Sequence, residues 1–190
     1  MQMETENGKL MGSAIRAILD MQSDCIKLFR DLDKELELKD LQAISGNVIT
    51  TGLGSSINTP GLYLAEYLYR LYAPKHSKHH VLGVNICFHN YTSKKYFAEP
   101  LFIAANVRYD PTQADEPLAT KCWDPWAAFL DWNSDRSLGN VLDLSPRRPT
   151  IKKIVVVAVP LYSITSIQDA IETVDLIGRP GNDSQIVPVE

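Results

Sequence analysis

The strongest constraint in this chain is a pair of alternating segments joined by a short polar link. In residues 79–90 (HHVLGVNICFHN), Val81, Gly83, Asn85, Cys87 and His89 fall on one side of an extended backbone, and Leu82, Val84, Ile86 and Phe88 on the other. That period of two marks a strand, whose successive side chains point to opposite faces. Residues 99–109 (EPLFIAANVRY) give a second strand, and the polar YTSKKY run at 91–96 connects the two. Two strands so linked predict an antiparallel hairpin.

Other segments extend the pattern. KKIVVVAVPLYS at 152–163 is β-rich and apolar on both faces, as a central strand covered on both sides would be. Pro160 removes a ladder donor near its end. Short strands are expected at 47–51 and 141–144, with the glycine-rich GLGSSINTPG after the first reading as a loop. Helices are expected at 13–36, with Ser13 as N-cap, and at 62–72 (LYLAEYLYRLY), where Glu66 and Arg70 would be exposed one turn apart before Pro74 stops the helix. A final helix at 167–177 is capped by Thr165 or Ser166 and closed by Gly178 and Pro180. Asp124 and Pro125 open a short helix over 125–132. The fold class is therefore α+β: a mainly antiparallel or mixed sheet of about four to five strands with three main helices packed on it. A chain of 190 residues suits one domain, with 1–10 and 181–190 as loose tails.

The first helix carries a second pattern. Ile15, Ile18, Gln22, Cys25, Phe29, Leu32 and Leu36 are spaced alternately by three and four, the rhythm of a coiled-coil seam. Leu19 and Ile26 widen the stripe toward that of a helix packed on its own sheet. Both readings stand at this point. The interface version assigns Ile15, Ile18, Gln22, Phe29 and Leu32 to a homodimer contact or to another protein.

Charge and cysteines limit the function classes. Net charge is −4, and it is uneven: residues 1–74 sum to −3, 75–153 to +3 and 154–190 to −4. The overall sign argues against a general nucleic-acid binder, whereas the basic middle leaves room for a local anion site. Cys25, Cys87 and Cys122 are few, odd in number and set beside apolar neighbours, which fits buried reduced thiols rather than a disulfide framework. The N-terminal MQMETENGKLMG has no apolar run, and the longest one, 154–164, is too short to span a bilayer. A cytoplasmic protein without a membrane segment is expected.

Three clusters are candidates for chemistry. His76, His79, His80 and His89 with Cys87 supply metal-ligand types, yet adjacent histidines on a strand point apart and Lys75 and Lys78 repel a cation, so no metal or other cofactor is expected. Trp123 and Trp126, close to Trp132, suit a ligand platform or an interface anchor, and equally a helix docked on a sheet. Arg147 and Arg148, with Lys152 and Lys153, suit an anionic ligand or charges that guard an apolar strand. GLGSS at 52–56 lacks the lysine and spacing of a phosphate loop, and Glu37–Leu38–Lys39 lacks the strand context of a nuclease. With no catalytic motif present, the leading expectation is a non-catalytic binding or regulatory module, dimerising through helix 13–36. The alternative is a hydrolase or nuclease acting on an anionic substrate through 145–153.

Overall fold

The computed structural model describes residues 2–44, 50–51, 67–75, 77, 79–88, 99–110, 138–145 and 149–178, with the backbone alone for 2–6, 50 and 51. The elements in chain order are α1 (Gln2–Glu37), β1 (Leu41–Ala43), β2 (Thr50–Thr51), β3 (Tyr67–Pro74), β4 (His80–Cys87), β5 (Leu101–Tyr109), β6 (Leu142–Leu144), β7 (Ile151–Pro160), a 3-10 turn (Leu161–Ser163) and α2 (Ile167–Leu176). The expected hairpin is β4–β5, in register from His80 opposite Arg108 to Cys87 opposite Leu101. Around it the strands run in the order β1-β3-β4-β5-β7-β6, with β2 pairing off this path with β3, and every pairing is antiparallel. The fold is α+β.

The sheet is buried on both faces. Leu82, Val84 and Ile86 of β4 share one core with Phe102, Val155 and Val157, and both helices pack on that side. Val81 and Cys87 share the other core with Leu101, Ile103, Ile154 and Val156. This double burial is why β7 is apolar at consecutive positions. Among the described residues the strand lies between β5 and β6, second from the end of the strand order.

The expected helix at 62–72 is corrected: residues 67–72 are strand β3, and 62–66 lie outside the described residues. Leu, Ala and Glu favour a helix, but propensities differ by less than ~1 kcal/mol per residue. Burying a large apolar side chain contributes about 2 kcal/mol. As a strand the segment buries Tyr67, Tyr69 and Leu71 in one core and Leu68 and Tyr72 in the other. This strand and the three-residue β1 bring the sheet to seven strands among the described residues, beyond the expected four to five, with two main helices rather than three.

Helix α1 begins at Gln2, well before the expected start at Ser13, so residues 2–10 belong to it. Ser13 is not a cap; its hydroxyl lies inside the helix and donates to the Lys9 carbonyl at 3.0 Å. At α2 the expected boundary holds. Ser166 caps the helix and Asp169 completes a capping box, its Oδ2 accepting from the backbone N–H of Ser166 and from both the N–H and the hydroxyl of Thr165. These bonds, the Thr165 hydroxyl first, hold the Asp169 carboxyl below its ordinary pKa. Gly178 follows the helix at φ +70°, the left-handed conformation that closes many helices.

Candidate functional site

Two polar contacts fix the helical layer on the sheet. Arg70, at a β3 position facing the helices, is 3% exposed, and its Nε and Nη2 donate to the two carboxylate oxygens of Asp33 on α1 at 2.6 and 2.7 Å. Such a two-pronged pair sets position as well as energy. Beside it the Tyr72 hydroxyl is buried without a hydrogen-bond partner. Burial, reinforced by the Asp33 carboxylate, pushes its pKa far up, so Tyr72 stays a neutral phenol near neutral pH. Arg70 is therefore no exposed partner of Glu66; extended backbone turns it into the core.

The second contact holds the end of α2. Asn106 of β5 donates through Nδ2 to the Ile177 and Gly178 carbonyls at 3.2 and 2.8 Å, groups that a helix end leaves without internal partners. Its Oδ1 is thereby turned toward Nε2 of His80, which acts as the donor. His80 is thus engaged with Asn106 on β5. Among the described residues no group of three or more His, Cys, Asp or Glu side chains is placed to hold a metal.

Along α1 the surroundings change sharply. Cys25, Phe29, Leu32 and Leu36 are in the core, while none of residues 7–20 is buried. Leu10, Met11, Ile15 and Leu19 are 56 to 71% exposed. A helix of 36 residues is roughly 54 Å long, whereas strands of eight to ten residues span only about 26 to 34 Å. The anchored half fits the sheet and the first half extends past it.

A cleft of about 640 Å³ opens between the middle of α1 and the corner leading from β7 into α2. Met21, Cys25 and Leu28 form one wall, and Leu161, Ile164 and Ile167 the other, with Asp24, Asp31, Thr165 and Ser166 at its margins. Burial raises the Cys25 thiol to about 11, with Asp24 adding to the rise, so it stays protonated near neutral pH. Asp24 and Asp31 each accept from a lysine three residues on, Lys27 and Lys34, at 2.8 Å. These pairs are exposed, so solvent screens them and they add little to stability.

The residues singled out in the sequence are distributed as follows. Ile15 is exposed, and Ile18 and Gln22 are partly so. Phe29 and Leu32, assigned to the interface, are corrected: at 1 and 0% exposure they lie in the chain's own core, where a partner does not reach. Lys152 is exposed with its ammonium 3.7 Å from Asp110, and Lys153 lies 3.2 Å from Asp143. Trp123, Trp126, Arg147, Arg148, His76, His89 and Cys122 lie outside the described residues. Cys25 and Cys87 are both buried, and no described helix is long and apolar enough to cross a membrane. Sequence reasoning missed the Asp33–Arg70 pair, the Asn106 contact and the cleft, each built from residues far apart in the chain. Compared with protein-family models, with curated proteins and with solved structures, the chain matches none.

Proposed function

We propose that this protein is a non-catalytic binding module that pairs with a second copy of itself through the overhanging half of α1. The observation that carries the reading is the row of exposed apolar side chains at Leu10, Met11, Ile15 and Leu19. Surfaces of this kind mark interaction sites when they are contiguous. Met11, Ile15, Ile18 and Gln22 keep the four-three-four spacing of a seam. The same stretch contains Gly8 and Gly12, and an added Cβ at either would meet nothing within 4 Å. Each glycine costs about 1 kcal/mol of helix stability relative to alanine, so a lone overhang is marginal and a helix laid against it supports it. Over residues 7–20 the charges are Lys9, Arg16 and Asp20, nearly balanced, so like-charge repulsion between two copies is weak.

For the alternative, an enzyme acting on an anionic substrate at 145–153, Arg147 and Arg148 lie outside the described residues. Lys152 and Lys153 both face carboxylates, and Tyr72 and Cys25 are held neutral. Light scattering over a concentration series tests the proposal: the 21.3 kDa chain should approach twice that mass. A double Ile15→Asp, Leu19→Asp variant should stay monomeric with unchanged thermal stability of the sheet. A monomer at every concentration in the unsubstituted protein rejects the reading.

A further inference from the structure

We infer that the two copies pair antiparallel through their overhangs, with Met11 of each copy against Ile15 of the other. The inference rests on reading the overhang of α1 as the self-association surface, and it adds the direction and register of the pair. α1 is one helix from Gln2 to Glu37. The seam of Met11, Ile15 and Ile18 therefore stays on one side and runs on into Cys25, Phe29, Leu32 and Leu36. Those four share a core with Leu82, Phe102 and Val155 of the sheet. The exposed face of the overhang thus looks into the layer of space that the sheet fills a few residues later.

That geometry decides the direction. Paired helices lie about 8 to 10 Å apart. In a parallel pair the partner's α1 would run beside this one past Gln22 and enter the volume of the sheet, which is close-packed there. In an antiparallel pair the partner's anchored half points away, and its sheet sits beyond the far end of the overhang. Only the stretches before Cys25 then meet, and the two copies offer each other equal lengths. Charge favours the same direction. A parallel pair brings Lys9, Arg16 and Asp20 each level with its own copy. The antiparallel pair separates those copies by about 12, 9 and 21 Å along the axis.

Register follows from where the core begins. Setting Met11 against Ile15 also sets Gly8 against Ile18. An added Cβ at Gly8 would meet nothing within 4 Å, so the position is a hole open to the Ile18 side chain. Sliding the partner one heptad further along would set Gly8 against Cys25, which is 5% exposed and closed to it. Sliding it one heptad back sets Met11 against Gly8 and gives up the contact with Ile15. The two-fold axis then passes at the level of Ser13, as an isologous contact requires.

The test places nitroxide labels at Ser13 or at Lys27 of the full-length protein, carried on a ketone-bearing residue so that the native thiols stay unlabelled. Both sites are exposed, and they lie two heptads apart, hence on the same side of α1. Double electron–electron resonance should give a distance at least about 20 Å longer at Lys27 than at Ser13, because the Lys27 copies are about 42 Å apart along the axis. Equal distances mean a parallel pair and overturn the inference while leaving self-association intact. No dipolar signal together with a monomeric mass rejects both. For the register, Met11→Cys chains mixed with Ile15→Cys chains should form a disulfide under mild oxidation faster than either does alone. Faster linking of either chain with itself overturns the assigned register.

Discussion

The two halves of α1 share one apolar rhythm and meet opposite surroundings. From Cys25 to Leu36 each seam residue is in the core, Asp33 clamps Arg70, and α2 packs alongside. From Asn7 to Asp20 the helix has no buried residue. The same three-four spacing serves an intramolecular core in one half and is left for a partner in the other. An apolar stripe reports that a face seeks cover; it does not say whether the cover comes from the same chain.

Substitutions can break this contrast. The largest effect is expected from Phe29→Ala, about 3 to 5 kcal/mol of lost stability by denaturant unfolding, because a fully buried aromatic leaves a cavity. Ile15→Ala, on the same stripe, should change monomer stability by less than ~0.5 kcal/mol. Equal losses at the two sites would erase the distinction between the halves. Next comes Asp33→Ala, which removes the carboxylate that two nitrogens of the buried Arg70 donate to and should cost about 3 kcal/mol. Asp33→Ala with Arg70→Met should recover part of that loss, since an apolar replacement for both partners is tolerated. No recovery would mean that the pair positions α1 in a way packing alone does not.

The smallest effect concerns α2, against which the anchored half leans. Ser166→Ala should cost about 1 kcal/mol. The Asp169 carboxyl is held low by Thr165 and Ser166 in the folded state. Its contribution is therefore fully present above the unfolded value of ~3.9 and is lost as pH falls through the lower folded value. Thermal unfolding between pH 5 and pH 2 should show Asp169→Ala losing less stability on acidification than the unsubstituted protein. An identical acid response in both would remove the capping box as the cause.

Local patterns were legible where neighbours in sequence settle the matter. The β4–β5 hairpin, the strand at β7, the cap at Ser166 and the Gly178 terminator all follow from alternation, branched apolar residues and capping chemistry within a few positions. The segment 67–72 was misread because its Leu-rich composition favours a helix, whereas its role depends on β4 lying beside it. Of the candidate interface residues, Ile15, Ile18 and Gln22 remain on the surface, while Phe29 and Leu32 do not.

By itself, then, the sequence determined the periodicities and the charge map: strands covered on both faces, one long helix with a continuous apolar stripe, and an acidic stretch at 154–190. Only the tertiary structure decided where that stripe stops being core, which carboxylate meets Arg70, and that Met21 and Ile167 line one cleft. Periodicity is a local property of the backbone. The length of sheet available to a helix, and the pairing of groups dozens of residues apart, depend on the whole chain folded together.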